Sequence, residues 1–288
     1  TMQRYLQMPL LRERGLAQFD AWAANFGETV TALETAPTGA GYRVHTRFSQ
    51  FTNVPELSAM FRLVTDVQTA EMLKLPIPTT AGGKARAIAA PASPQLTAFV
   101  ETLLARAERI RKGGVPPHVD NMLAITTDGR KAALDMRLVD PEAPDIPKSK
   151  INLAVEEIFT RWHATRAKRL TQLVFIDFSR PGTPGERRFS AYDDVKAKLV
   201  RRGVPAEEIR FIHDAESDLA KKQLFDAVNA GRVRILMGST SKMGVGMNAQ
   251  RLLVAKHDLD APWRPADVEQ RDGRILRQGN SNKEVEIL

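Results

Sequence analysis

From residue 146 onward, short apolar runs alternate with amphipathic stretches that close on glycine. Continuous apolar runs at 172–178 (QLVFIDF), 209–213 (IRFIH), 233–237 (VRILM) and 252–255 (LLVA) predict strands buried on both faces, because a half-exposed strand would alternate with polar residues. Helical periodicity over 192–202, over about 218–230, and from Pro265 through ADVEQRDGRILRQ predicts the intervening helices, with Gly203 and Gly231 as stops. Strands separated by helices imply a parallel sheet with helices on both faces, an α/β fold whose ligands sit at the carboxyl ends of the strands.

The first half is less regular. Helical stretches near 2–26, 57–73 and 96–112 alternate with Pro/Gly-rich connectors such as PIPTTAGGKARAIAAPASP. Prolines and charges over 139–150 predict a boundary there. The expected organisation is a mainly helical, irregular connecting region at 1–145 and an α/β lobe at 146–288. The start at Thr1 and the finish in a strand-like EVEIL predict a piece of a longer protein, cut at its last strand.

Hydrophobic residues make up 43% and charged residues 26%, a globular composition. The chain has no cysteine, which excludes disulfides, thiolate metal sites and a cysteine nucleophile. No apolar run is long enough to cross a bilayer and no signal peptide opens the chain, so a cytoplasmic location without membrane contact is expected. The net charge of +8 is uneven: about +1 over 1–145 and +7 over 146–288. A basic half suits a polyanion such as nucleic acid or nucleotide phosphate; a solvated charged surface is the plainer alternative.

Locally readable enzyme sites are few. There is no GxxxxGK[ST] phosphate loop; Gly82-Gly83-Lys84 lacks the following hydroxyl, and no strand is predicted before it. The five histidines, His45, His118, His163, His213 and His257, are scattered without metal-ligand spacing, so no metal site is expected in this chain. No GxSxG elbow occurs.

Two segments near the end carry denser chemistry. Residues 238–248 (GSTSKMGVGMN) follow an apolar strand and combine Ser239, Thr240, Lys242, Gly244 and Gly246. Such a loop can bring N–H groups, hydroxyls and an ammonium to phosphate oxygens, and it can equally be a glycine-rich turn. Residues 270–277 (QRDGRILR) place Arg271, Arg274 and Arg277 three apart, so that on a helix their guanidiniums share one broad face. Crowded arginines suit a triphosphate; Asp267, Glu269 and Asp272 provide the alternative of local neutralisation on a solvated helix.

Taken together, GSTSKMGVGMNAQ and LDAPWRPADVEQRDGRILRQGN resemble motifs V to VI of superfamily 2 helicases, especially their Swi/Snf-like branch, and QLVFIDFS resembles motif IV. QRDGRILR fits the QRxGRxxR pattern in full. Against the Swi/Snf pattern STRAGGxGxN, Ser241, Lys242 and Met243 replace Arg, Ala and Gly; Trp263-Arg264-Pro265 replaces WNP, Gly273 stands for the usual aspartate, and Gln278-Gly279-Asn280 for IGQ. The resemblance covers about 150–288 and is greatest to helicase-like regions of very large phage, plasmid and integrative-element proteins, some with an adenine-specific DNA methyltransferase region.

That resemblance implies a C-terminal RecA-like lobe of an ATP-dependent DNA helicase or translocase. Its arginine fingers would be Arg274 and Arg277, with Gln270, Arg271, Gly244 and Gly246 at the ATP. Ser179, Ser239, Thr240, Lys242 and Asn248 would touch DNA. ATP with Mg²⁺ is the implied cofactor, the magnesium ligands and phosphate loop belonging to an N-terminal RecA-like lobe, so the chain alone is expected to be inactive. DNA and that lobe are the implied partners, with an attached methyltransferase region as a further one. A non-catalytic DNA- or partner-binding module that keeps the fold is the alternative, and an unrelated doubly wound enzyme a third.

Overall fold

The computed structural model describes residues 5–35, 42–66, 68, 70–113, 115–116, 118–183, 185, 188–243 and 247–288. The chain forms two compact units, Thr1–Lys74 and Leu75–Leu288, so the division expected at 145/146 falls inside the second.

In the first unit, helices α1 (Pro9–Glu13) and α2 (Phe19–Phe26) precede an antiparallel hairpin of β1 (Gly27–Thr35) and β2 (Tyr42–Phe51), followed by α3 (Val54–Arg62) and α4 (Ala70–Leu73). Tyr5, Leu6, Leu11, Trp22, Phe26 and Met60 form its core. The hairpin departs from the mainly helical expectation. Its β-branched residues favour extended backbone, but Leu33 is 65% and Val44 70% exposed, so no buried stripe marks the strands in the sequence.

The second unit runs β3 (Thr79–Thr80), α5 (Pro94–Arg111), α6 (Met122–Leu134), α7 (Lys150–Ala164), β4 (Thr171–Phe175), α8 (Ala191–Arg201), β5 (Ile209–Phe211), α9 (Asp218–Asn229), β6 (Ile235–Gly238), α10 (Thr240–Met243), β7 (Leu253–Asp258), α11 (Pro265–Asp272) and β8 (Glu284–Ile287). Its six strands lie in the order β3-β8-β7-β4-β6-β5, all parallel. This α/β architecture is consistent with the RecA-like class expected.

The strand runs are apolar throughout because both faces are covered. Val174, Ile176, Ile235 and Met237 pack with α7 and α8, while Leu173, Phe175 and Leu236 pack with Leu224 and Val228 of α9 and with Met243, Met247 and Ile275. Ser149, Ser190 and Ser217 cap α7, α8 and α9 by accepting the backbone N–H of Asn152, Asp193 and Ala220. Gly203 and Gly231 end their elements with φ of +96° and +69°. A side chain at Gly231 would also meet the Arg169 carbonyl at 2.8 Å.

Three features differ from expectation. Helices α6 and α7 were not foreseen, and α7 starts where the proline-rich segment ends. The two-residue strand β3 does precede Gly82-Gly83-Lys84, and Ala81–Gly83 forms a 3₁₀ turn. Finally, α11 stops at Asp272, and the next residues turn so that Ile275 is fully buried. Arg274 and Arg277 therefore do not continue the helix of Arg271.

From β4 the chain moves two places to β5, returns to β6, and then crosses to β7 on the far side of β4. This reversal leaves the carboxyl ends of β4, β6 and β7 around one crevice, the place where such sheets bind ligands.

Candidate functional site

Each of those three strand ends contributes to one buried polar cluster. Asp177 follows β4, Thr240 follows β6, Asp258 ends β7, and Asp260 comes two residues later. Arg271, near the end of α11, is fully buried among them. Its Nε donates to Thr240 Oγ1 at 2.7 Å. One terminal nitrogen donates to Asp258 Oδ1 at 3.0 Å and the Asp260 carbonyl at 2.8 Å. The other donates to Asp177 Oδ2 at 2.7 Å and Asp260 Oδ1 at 3.2 Å.

A guanidinium has five N–H donors, so Arg271 has none left for a phosphate. Burial pulls its pKa down, but Asp258, Asp177 and Asp260 together hold it above the ordinary value. Arg271 thus fastens α11 to the sheet. The neutralising carboxylates come from the strand ends and not from the helix: Asp267 pairs with Arg264, and Asp272 with Lys256.

Fully buried Lys256 continues the cluster, pairing with Asp258 and, at 2.6 Å, with Asp272. Asp260 Oδ2 accepts the backbone N–H groups of Asp177 at 2.6 Å and Phe178 at 3.0 Å. Burial, and then the neighbouring Asp177 charge, push the Asp260 carboxyl above the usual range. Beside it, Arg130 of α6 lies between the Phe178 and Trp263 rings, its guanidinium carbon 4.1 and 4.4 Å from their centroids, and donates to the Ala261 carbonyl.

Arg274 and Arg277 stand differently. Both are half-buried, and Arg277 donates to the Met247 carbonyl at 3.0 Å, which sets the turn against the loop after β6. Burial, and then the Arg277 charge, lower the Arg274 pKa. Two like charges thus share the turn that meets Met247. Gln270 is exposed on α11.

In the loop itself, Thr240 gives its backbone N–H to Asp177 Oδ1 at 2.6 Å and its hydroxyl to Oδ2 at 2.8 Å, so both of its donors point inward. Half-buried Ser239 lies with its Oγ 3.0 Å from that of Ser241; Ser241, Lys242 and Asn248 are exposed. Ser241, Lys242 and Asn248 line a groove of about 730 Å³ shared with Lys221 and Lys222 of α9. The Ser179 hydroxyl accepts the Ala191 N–H at 3.0 Å and so helps to cap α8. Gly244 and Gly246 lie outside the described residues.

Asp177, Asp258, Asp260 and Lys256 were not singled out in the sequence. The available signal was position: each lies at or just beyond the carboxyl end of an apolar run, where an α/β sheet collects its chemistry. Among the described residues no His, Asp or Glu group is arranged to hold a metal ion, and no helix is long and apolar enough to cross a membrane.

No family model matches the chain, and no curated protein does. Solved structures with partial likeness include the DUF1998 helicase MrfA bound to DNA (14% identity, 46% of this chain and 17% of that one, TM-score 0.34). Another is the C-terminal part of the Fun30 ATPase domain (17% identity, 67% and 59%, TM-score 0.37). A third is the Pyrococcus furiosus Hef helicase domain (14% identity, 67% and 35%, TM-score 0.32). The chain thus spans between 17% and 59% of their lengths.

Proposed function

We propose that the second unit is the C-terminal lobe of an ATP-dependent DNA helicase or translocase of the Swi/Snf-like kind, from a protein of phages or other mobile elements. The observation that carries the reading is that Arg274 and Arg277 lie near each other on the turn after α11, which Arg277 ties to Met247 in the loop after β6. Placed there, they can approach the terminal phosphate of a nucleotide held by another lobe, with Gln270 beside them. A guanidinium keeps its charge as negative charge grows on the transferred phosphoryl group, so it stabilises the transition state more than the ground state. Arg271 acts by holding α11 and does not touch the nucleotide.

Ser239, Lys242 and Asn248 serve as backbone contacts for DNA, with Ser179 near the same edge. Contacts to phosphate carry no sequence information, as a translocating motor requires. ATP with Mg²⁺ is the cofactor of the joined lobes, and the magnesium ligands and phosphate loop belong to the N-terminal one. The location is cytoplasmic, and a methyltransferase region is a further partner of the same polypeptide.

Joining the chain to a lobe with GxxxxGK[ST] tests the reading. DNA-stimulated hydrolysis should appear, and Arg274→Ala or Arg277→Ala should slow it about 10³-fold. Turnover unchanged in both variants favours a non-catalytic binding module. Vigorous hydrolysis by the unjoined chain rejects the division of labour.

A further inference from the structure

One carboxylate touches both halves of the site. Asp177 accepts two bonds from Thr240, the first residue of α10, which leads straight into exposed Ser241 and Lys242. It accepts a third, at 2.7 Å, from Arg271, whose helix leads straight into the turn bearing Arg274 and Arg277. Thr240 Oγ1 in turn accepts from Arg271 Nε at 2.7 Å, closing a triangle of three side chains. Asp258 and Asp260 also hold Arg271, but their other bonds reach Lys256 of β7 and the end of β4 instead of α10.

We propose that Asp177 is a positioning residue that links occupancy of Ser241 and Lys242 to the placement of Arg274 and Arg277. The inference rests on the motor reading given above for the two ends of the link. A phosphate drawing on Ser241 or Lys242 displaces α10, and Thr240 cannot shift without breaking charge-assisted bonds or taking Arg271 with it. A close-packed surround passes such a shift on instead of absorbing it. Arg271 is fully buried and all its donors are engaged, so its movement is that of α11 and the turn behind it.

Amide hydrogen exchange on the whole chain tests this, with an oligothymidylate as the probe. In the wild type, adding the oligonucleotide should change exchange across residues 273–279 by about threefold or more. Asp177→Asn should still bind the oligonucleotide with an affinity within about threefold, while the response at 273–279 disappears. A merely structural aspartate would raise exchange generally and leave that response in place. If Asp177→Asn does not fold, Thr240→Val removes the hydroxyl bridge but keeps the backbone N–H bond, and should lose the response in the same way.

A wild type that binds without any change at 273–279, or variants that keep the change, would overturn the link and leave the motor reading intact. Failure of the wild type to bind the oligonucleotide would strike the DNA role of the loop itself, and the link with it.

Discussion

The buried cluster at the strand ends and the turn immediately after it use the same residue type for opposite purposes. Arg271 lies among Asp177, Asp258 and Asp260 with every donor engaged. Three residues later Arg274 sits near Arg277 and is disfavoured in its charged form by burial and by that neighbour. In the first place positive charge is matched, and the arrangement is fixed. In the second, like charge is set beside like charge. Spacing alone cannot separate the two roles, because the partners that decide lie 94 residues away at Asp177 and 11 to 13 away at Asp260 and Asp258.

The largest expected effect is on the fixed side. Arg271→Ala strands three carboxylates at the sheet's crest and should cost about 3–5 kcal/mol, read as a lower urea midpoint. A loss under about 1 kcal/mol would mean the cluster is far wetter than its burial implies. On the open side the order reverses: Arg274→Ala and Arg277→Ala should each leave stability within about 1 kcal/mol, while abolishing most hydrolysis in the joined two-lobe protein. Equal stability losses on both sides would erase the distinction.

A smaller effect concerns pH. Fully buried His257, 2.8 Å from Gln172, has its pKa pushed down to about 3, first by burial and then by Arg161, Arg86 and Lys256. An unfolded histidine takes up its proton near pH 6.5, so below that value the unfolded chain binds more protons than the folded one. The stability held at neutral pH should therefore fall as pH drops from about 6.5 towards 3, by up to about 1.4 kcal/mol per unit. His257→Gln should lack this component when unfolding midpoints are compared from pH 7.5 down to about 4.5. The smallest effect is at the amino-terminal hairpin, where Leu33→Thr or Val44→Thr should change unfolding by less than about 0.5 kcal/mol.

How much could be read beforehand follows from the range of the forces involved. Strands β4 to β7 and helices α8 and α9 were legible because apolar runs, helical periodicity and glycine stops are local signals. The end of α11 was not, since it depends on Ile275 reaching an apolar cluster and on Asp272 meeting Lys256 from β7. Thr240 was expected to face DNA, but its donors turn inward because Asp177, 63 residues earlier, lies within reach. The hairpin of β1 and β2 escaped notice because an element wet on both faces leaves no periodic trace. Ser241 was noted only as a departure from the family pattern, and it is exposed at the groove.

Strand β3 also bears on where this chain can be cut. Thr79 and Thr80 pair with Glu284 and Val285, and the Arg86 N–H reaches the Ile287 carbonyl. A fragment beginning at 146 would keep all of β8 yet lose the chain that runs alongside it. Its outermost strand would then offer free amides and carbonyls to any neighbour, so such a truncation should clump through edge-to-edge pairing at concentrations where the whole second unit stays dispersed.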